Sequence, residues 1–309
     1  MLSENSVLQV GFFTPSMQSA VDQRVKADKI PDGNTVPKSF HYQTILTTGS
    51  TPIPRSLIEQ LPKLEMIANC GVGYDNLPLA YLKERGIVAS NTPGVLNAAV
   101  CELTFGMVFA LLRKLPQAQS FVLEGRWPSA AFPLTTSLAG KRVGIVGMGR
   151  IAQDLAKRLI AFDVHIAYCT PKPKDLPYLY VGHIEALAEQ SDLLIMLCPG
   201  GAATAKIANA AVFKALGPQG FFINVARGSV VDEAALIETL KTQGIAGAAL
   251  DVFNNEPNIN PEFLTLNNVL VLPHLGSATT ETRHAMIELT LDNLQAHYRH
   301  QALKTPIPL

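Results

Sequence analysis

The sequence has no excess of charge of either sign. Its 25 Lys and Arg side chains equal its 25 Asp and Glu side chains, so the formal net charge at pH 7 is 0. We find no cluster of basic residues interleaved with aromatic ones. A neutral chain without such a cluster produces no field that attracts nucleic acid or an anionic membrane surface. The composition therefore argues against nucleic-acid and membrane partners.

Long hydrophobic runs and paired cysteines are also missing. The longest nearly apolar segment, residues 98–112, contains Glu102 and is too short to cross a bilayer. The first residues, MLSENSVLQVGFF, have no basic segment before an apolar one, which predicts a first β-strand rather than a signal peptide. The four cysteines form no CxxC pair, as is typical of reduced thiols in a cytoplasmic protein, and no metal site is expected.

What is present indicates a well-buried globular protein of two domains. The 309 residues are 48% hydrophobic and 16% charged. In the first third, helical patterns separate several β-rich runs, which are found at residues 7–12, 43–47, 64–69 and 86–90. A long helix is expected to follow NTPGV and to end near Leu115. Residues 127–141, rich in Pro, Ser and Thr, predict a loop into a second unit.

The second unit has a more regular pattern. Helical segments fill most gaps between six apolar strands, predicted at residues 142–147, 164–168, 192–197, 220–225, 245–251 and 268–272. Strands that are nearly continuous in apolar residues and alternate with helices predict a parallel, doubly wound sheet.

The predicted fold class is therefore α/β, with two Rossmann-like domains. One is a doubly wound parallel-sheet nucleotide-binding domain, and the other is a smaller flavodoxin-like substrate domain. A final helix over about residues 278–300 is expected to return to the first domain. We assign residues 1–97 and 286–309 to the substrate domain and residues 98–285 to the dinucleotide-binding domain.

A glycine loop stands between the first strand of the second unit and an amphipathic helix. It reads Gly147-Met148-Gly149-Arg150-Ile151-Ala152, a G-x-G-x-x-A pattern. Gly147 permits a tight turn and Gly149 lets the backbone approach a pyrophosphate, while N–H groups at the helix start bind phosphates. The strand before the loop and the helix after it favour dinucleotide binding over a structural glycine turn.

The acid that would select NAD is missing. A carboxylate for the ribose 2′-hydroxyl is expected about 20 residues after the first glycine, at the end of the next strand. Here the chain reads AYCTPKPK and the strand ends at Cys169, while Asp163 precedes the strand and belongs to its other end. Thr170 can donate a hydrogen bond, and Lys172 and Lys174 can bind a 2′-phosphate. The stretch favours NADPH over NADH, with ordinary loop charges as the alternative interpretation of the lysines.

Three chemistry-bearing residues follow the ends of three different strands. Arg227 lies in ARGSVVDEAAL, Glu256 in VFNNEP and His274 in PHLGSAT. In an open parallel sheet, the carboxyl ends of the strands border the crevice where the ligand binds. Each residue alone has an ordinary explanation as a surface charge, a turn residue or a loop histidine. Together, at one edge of a nucleotide-binding sheet, they favour an active site.

These three side chains suit hydride transfer to a carbonyl. Arg227 can hold a 2-oxoacid and polarise its carbonyl group. Protonated His274 can donate a proton to the developing alkoxide. Glu256, if hydrogen-bonded to the other ring nitrogen, would fix the tautomer and favour the imidazolium. The cofactor would supply the hydride.

At these segments the sequence resembles the D-isomer-specific 2-hydroxyacid dehydrogenases across nearly the whole chain. CGVGYDNL (70–77) is similar to the family's substrate loop, and NTPGVLNAAVCELTFGMVFALLRKL (91–115) to its interdomain helix. GIVGMGRIAQDLAKRL, INVARGSVVDEAAL, ALDVFNNEP and LPHLGSATTETRHAM resemble its glycine loop and three catalytic segments. The resemblance implies the catalytic roles argued above, with His274 as the acid/base.

The resemblance also implies the binding residues. Backbone N–H groups around Val72 and Gly73 would bind the substrate carboxylate, with Arg227 and His274 as further substrate contacts. The residues implied for the cofactor are Thr104, Gly147, Gly149, Arg150, Ile151, Cys169, Thr170, Lys172, Lys174, Cys198, Pro199, Val225, Ala226, Asp251 and Gly276. Near the adenosine, CPGGAAT (198–204) departs from the family's usual Pro-Leu-Thr run.

Members of this family are typically homodimers joined through their nucleotide domains, with substrate bound between the two domains. Within the family, the basic stretch after Cys169 resembles the NADPH-dependent glyoxylate and hydroxypyruvate reductases. The leading hypothesis is an NADPH-preferring reductase of small 2-oxoacids. An NADH-linked D-lactate or D-glycerate dehydrogenase stays open, as does a nucleotide-sensing module like the related corepressors, against which the lack of long tails argues. The sequence does not decide whether Trp127 lies at the edge of the active site or simply packs against other residues.

Overall fold

The computed structural model describes residues 6–35 and 41–309 of the chain. The first five residues of MLSENSVLQVGFF, the segment read as a strand rather than a signal peptide, lie outside them. Two compact units divide the chain, the first formed by Met1–Leu96 with Ser277–Leu309 and the second by Asn97–Gly276. Which unit takes the substrate and which the nucleotide stays a prediction at this point.

The described residues contain parallel strands and helices in alternation. The strands are β1 (Val7–Val10), β2 (Ala27–Ile30), β3 (Thr44–Thr48), β4 (Met66–Cys70), β5 (Val88–Ser90), β6 (Arg142–Val146), β7 (His165–Cys169), β8 (Leu179–Tyr180), β9 (Leu193–Met196), β10 (Phe221–Asn224), β11 (Gly247–Leu250) and β12 (Val269–Val271). The helices are α1 (Pro15–Arg24), α2 (Arg55–Glu59), α3 (Leu79–Arg85), α4 (Asn97–Leu112), α5 (Leu115–Leu123), α6 (Arg150–Leu159), α7 (Ile184–Glu189), α8 (Ala210–Leu216), α9 (Glu233–Lys241) and α10 (Thr280–Tyr298).

The first unit is built on a five-stranded sheet in the order β2-β1-β3-β4-β5, with every pair parallel. This is the flavodoxin-like order 2-1-3-4-5. Every residue of β4 is buried, as expected for an interior strand covered on both faces. The predicted strands are confirmed, but β2 was missed because its sequence, ADKI, is polar and lies at the sheet edge.

The second unit contains a seven-stranded parallel sheet in the order β12-β11-β10-β9-β6-β7-β8. From β6 the chain first builds outward to β7 and β8, then returns to place β9 on the other side of β6. This reversal of direction is the topological switch point, where doubly wound sheets bind ligands at the carboxyl ends of the strands. The glycine loop directly follows β6. The predicted fold class, two Rossmann-like α/β domains, is confirmed.

Helix α6 shows why this sequence packs against the sheet. Leu155 and Leu159 are fully buried one turn apart, and Ala152 is 1% exposed on the same side. The basic residues Lys157 and Arg158 lie in the last turn, near the negative end of the helix dipole. An apolar stripe with a period of 3.6 residues therefore seats the helix beside the strand that precedes it.

The long helix predicted to end near Leu115 is shorter than expected. α4 ends at Leu112, and Lys114 has a left-handed backbone with φ of 50°. α5 then starts at Leu115 with a proline in its first turn. The predicted end near Leu115 therefore lies just past the observed end of α4. A second helix begins at Leu115 because proline fits only the beginning of a helix.

In the described part of the chain, no helix is long and apolar enough to cross a membrane. No group of three or more His, Cys, Asp or Glu side chains in those residues could hold a metal ion. The four cysteines carry free thiols.

Candidate active site

The turn that carries Arg227 is shaped by the last residue of β10. The side-chain Oδ1 of Asn224 accepts a hydrogen bond from the Ala226 N–H at 3.0 Å. Its Nδ2 donates to the Arg227 carbonyl at 2.9 Å. Asn224 is 1% exposed, so both bonds form in a dry environment. The guanidinium donates through Nη1 to the Ala226 carbonyl at 2.8 Å.

The turn that carries Glu256 follows β11 and touches the Arg227 segment. A Cβ atom at Gly228 would lie 1.9 Å from the backbone carbon of Phe253, so only glycine permits this approach. Two carboxylates hold successive N–H groups of the turn. Glu256 Oε1 accepts from Phe253 at 2.9 Å, and Glu233 Oε1 accepts from Asn254 at 2.7 Å.

His274 has a left-handed backbone with φ of 54°, a conformation uncommon outside glycine. Its N–H donates to the Asp251 carbonyl at 3.0 Å. The Asp251 carboxylate accepts from the Leu275 N–H at 2.6 Å and the Gly276 N–H at 2.8 Å. Burial raises the pKa of Asp251, and these two N–H groups act in the opposite direction. Asp251 thus holds the loop around the histidine.

The imidazole of His274 contacts the carboxylate of Glu256. Nδ1 lies 2.6 Å from Oε2, and both side chains are partly exposed to solvent. Burial alone would raise the pKa of Glu256, but the hydrogen bond and charge of His274, the Phe253 N–H and the charge of Arg227 outweigh it and lower the pKa. An ionised carboxylate only accepts hydrogen bonds, so the proton of this contact is on Nδ1. The structure brings Arg227, Glu256 and His274 together.

The glycine loop fits a dinucleotide. Gly147 has φ of 89°, and a Cβ atom there would lie 2.6 Å from the Cys198 backbone nitrogen. Gly149, by contrast, faces open space, since no heavy atom lies within 4 Å of a Cβ built on it. α6 begins at Arg150, so its unpaired N–H groups lie beside that space. Ile151 lies in the same first turn. These features match the backbone cradle that a pyrophosphate needs.

The two lysines after β7 have different surroundings. Lys174 Nζ donates to the Met148 carbonyl of the glycine loop at 2.8 Å. The Tyr168 hydroxyl holds the Lys174 backbone through its N–H and carbonyl, at 2.8 and 3.0 Å. Thr170 donates its hydroxyl hydrogen to the Lys172 carbonyl at 2.7 Å. Within the described residues, the exposed Lys172 ammonium contacts no carboxylate or carbonyl. No carboxylate follows Cys169 at the end of β7.

The remaining residues implied for the cofactor lie at the same edge of the sheet, with one exception. Cys169 is the last residue of β7 and Cys198 follows β9. Burial raises the pKa of both thiols, that of Cys198 to about 11. Pro199 is exposed beside Cys198. Val225 and Ala226 follow β10, Asp251 follows β11, and Gly276 follows β12. The exception is Thr104, which is fully buried in α4 and donates its hydroxyl hydrogen to the Val100 carbonyl.

Val72 and Gly73 belong to the first unit, in the loop after β4, and are half-buried. Trp127 is 67% exposed, so it does not pack into the core of the chain. Sequence reasoning missed Asn224, Glu233 and Tyr168, which hold the turns that carry the predicted residues. Of these three, only Asn224 could have been found from the sequence, because it is a polar residue at the end of the apolar strand β10.

These features define a class of protein, an oxidoreductase with a dinucleotide-binding sheet and a histidine–carboxylate pair at its carboxyl edge. The family model described as "D-isomer specific 2-hydroxyacid dehydrogenase, NAD binding domain" matches residues 105–276. The chain belongs to the D-isomer-specific 2-hydroxyacid dehydrogenase family.

Relatives of known name differ in their substrates. Glyoxylate/hydroxypyruvate reductase A of Arabidopsis thaliana is 42% identical over 267 residues, 86% of this chain and 85% of the relative. Hydroxyphenylpyruvate reductase of Plectranthus scutellarioides is also 42% identical, over 81% of this chain and 80% of the relative. A solved structure of the NADPH-dependent glyoxylate/hydroxypyruvate reductase of Sinorhizobium meliloti, in complex with NADP and malonate, matches with a TM-score of 0.92 and 41% identity, covering 98% of this chain and 96% of that one.

Proposed function

We propose that the protein reduces small 2-oxoacids, glyoxylate and hydroxypyruvate, to 2-hydroxyacids with NADPH. The observation that carries the proposal is the 2.6 Å contact between His274 Nδ1 and Glu256 Oε2, with the Arg227 charge close enough to lower the Glu256 pKa. This arrangement lies at the carboxyl edge of a dinucleotide-binding sheet. A general acid, its charge partner and a carboxylate-binding cation are the groups that carbonyl reduction requires.

Each side chain has a defined part in the proposed reaction. Arg227 binds the substrate carboxylate and polarises the carbonyl oxygen. His274 donates the proton on Nε2 to that oxygen, since Nδ1 faces Glu256. Glu256 keeps the ring oriented, with Nδ1 toward its carboxylate. NADPH, when bound, supplies the hydride. Val72 and Gly73 offer backbone N–H groups to the carboxylate.

The cofactor preference rests on the segment after β7. Residues 169–174, at the end of β7 and directly after it, include no carboxylate that would bind a 2′-hydroxyl or repel a 2′-phosphate. The exposed ammonium of Lys172 supplies the positive charge that a dianionic phosphate requires. The solved relative from S. meliloti, described as NADPH-dependent, supports the same assignment.

The unit Asn97–Gly276 is the proposed nucleotide domain, and the unit with both ends of the chain is the proposed substrate domain.

We also propose a homodimer, because large apolar side chains are exposed along one segment, at Leu115, Val122, Leu123, Trp127 and Leu134. A particle mass of twice 33.3 kDa by sedimentation equilibrium is the expected result. The free thiols support a cytoplasmic location.

The test is a comparison of initial rates with NADPH and NADH, each with glyoxylate, hydroxypyruvate, pyruvate and hydroxyphenylpyruvate. We expect higher kcat/KM with NADPH, and with glyoxylate or hydroxypyruvate as the best acceptor. The control is His274→Ala, which should lose at least about 100-fold in kcat while binding NADPH normally.

A preference for NADH with good turnover would contradict the cofactor assignment and favour a D-lactate or D-glycerate type of dehydrogenase. A preference for hydroxyphenylpyruvate would contradict the substrate assignment. Cofactor binding with no turnover on any acceptor would overturn the enzyme proposal and favour a nucleotide-sensing module.

A further inference from the structure

The loop after β4 has every carbonyl from Cys70 to Gly73 occupied. The Cys70 carbonyl accepts from the Gly49 N–H at 3.1 Å, and the Gly71 carbonyl accepts from the Thr92 N–H at 2.9 Å. The next two carbonyls accept from side chains. Asn91 Nδ2 donates to Val72 at 2.9 Å, and Asn69 Nδ2 donates to Gly73 at 2.9 Å.

The occupied carbonyls determine where the N–H groups point. A trans peptide unit is planar, and its C=O and N–H point in opposite directions. The bond from Thr92 to the Gly71 carbonyl therefore directs the Val72 N–H away from Thr92. In the same way, the bond from Asn91 to the Val72 carbonyl directs the Gly73 N–H away from Asn91. Within the described residues, neither the Val72 nor the Gly73 N–H has an acceptor.

The two asparagines are themselves held in place. Asn69 is fully buried and Asn91 is 8% exposed. The Asn91 carbonyl accepts from the Thr305 hydroxyl at 2.6 Å, and Asn69 Oδ1 accepts from Asn76 Nδ2 at 3.3 Å. Because these side-chain amides are buried and held in place, they lose little conformational freedom when they donate to the loop carbonyls. Their hydrogen bonds therefore hold the loop in one conformation.

We propose that Asn91 is a positioning residue that preorganises the Gly73 N–H group for the carboxylate of the substrate, while Asn69 holds the next peptide unit of the same loop. The inference rests on the proposed function, since the carboxylate belongs to the 2-oxoacid. The asparagines themselves do not contact the substrate. The effect of Asn91 is on the direction of one donor, so its loss weakens carboxylate binding more than it slows the chemical step.

The first experiment measures Michaelis constants for Asn91→Ala with NADPH and hydroxypyruvate. We expect the Michaelis constant for hydroxypyruvate to rise about tenfold, the loss that one misplaced hydrogen bond to an anion produces. The value for NADPH and kcat should change by less than about threefold. Should Asn91→Ala unfold, Asn91→Leu removes the donor while filling the same volume.

Gln9→Ala is the matched control. Gln9 is a buried amide of the same unit, 2% exposed, and its Nε2 donates to the Gly11 carbonyl and to Gln18 Oε1. None of these partners lies in residues 69–73 or 91. A purely structural effect of losing a buried amide would lower Tm in Gln9→Ala and Asn91→Ala alike, without a selective loss of carboxylate binding in either protein.

A second readout does not depend on turnover. Malonate has no keto carbon and cannot be reduced. Its binding to the enzyme–NADPH complex is measured by isothermal titration calorimetry. We expect its Kd to rise about tenfold in Asn91→Ala and to stay unchanged in Gln9→Ala. Unchanged malonate and hydroxypyruvate binding in a folded Asn91→Ala protein would overturn the positioning role while leaving the proposed function intact. Failure of the wild type to bind any carboxylate would overturn both.

Discussion

At His274 the backbone takes a left-handed conformation that a β-carbon disfavours. The loop keeps this conformation because Asp251 accepts hydrogen bonds from the next two N–H groups, and the Asp251 carbonyl accepts from His274 itself. Strain of this kind persists only where the surroundings hold it, and it is found most often at functional sites. The buried Asp251 carboxylate thus holds the loop in the conformation that brings the His274 imidazole to Glu256.

We predict that the Glu256 carboxylate stabilises the fold near neutral pH and loses this effect in acid. Its folded-state pKa is below the ordinary value of 4.5, so the unfolded chain binds a proton first as the pH falls. The contribution is therefore present above about pH 4.5 and lost as the pH falls through the lowered pKa. In urea unfolding at about pH 6, Glu256→Gln should be less stable than wild type by about 1 kcal/mol.

At about pH 3 the two proteins should have more similar free energies of unfolding, because the stabilisation by the carboxylate is lost as the pH falls through its lowered pKa. A difference of the same size at both pH values would mean that the charge of Glu256 has no part in stability.

The segment of residues 170–174 after β7 is fixed as one element by aromatic hydroxyls. Tyr168 bonds to the backbone of Lys174, and Tyr180 donates to the Thr170 carbonyl at 3.2 Å. Because Lys174 reaches the Met148 carbonyl, it ties this segment to the glycine loop. The two lysines therefore have different surroundings, which the sequence alone did not distinguish.

We predict that Lys172→Ala raises the Kd of NADPH about tenfold and leaves that of NADH nearly unchanged, since only NADPH carries the 2′-phosphate. Lys174→Ala should instead weaken both cofactors by a similar factor, because it loosens the glycine loop that both use. Fluorescence titration of each cofactor against the two variants measures this. The two substitutions serve as controls for each other. Equal effects of both variants on both cofactors would show that neither lysine reads the phosphate.

Element prediction succeeded where burial is strong and failed where local geometry decides. Strands β6, β9, β10 and β11 of the second sheet were predicted because they are buried on both faces and read as continuous apolar runs. β7 and β12 are partly exposed and were predicted from their apolar sequence alone. β8 has two residues and β2 is polar, so neither gives an apolar run. The break between α4 and α5 depends on the left-handed backbone at Lys114, which the apolar pattern does not reveal.

Across the whole molecule, parallel topology explains which part of the site was predictable. Parallel strands end at one edge, so residues after β10, β11 and β12 could be grouped without knowing any side-chain contact. The supporting residues could not be found in this way. Asn91 meets the Val72 carbonyl across 19 residues of sequence, and Glu233 meets Asn254 across 21. Such pairs depend on the tertiary arrangement of two turns rather than on a periodic pattern.

The central claim is that a hydride passes from NADPH to the keto carbon of a small 2-oxoacid. The most direct measurement uses NADPH deuterated at the transferable nicotinamide C4 position, with hydroxypyruvate as acceptor and mass spectrometry with chiral analysis of the product. The proposed function predicts D-glycerate carrying one deuterium at its second carbon. Glycerate without deuterium, or deuterated L-glycerate, would contradict it.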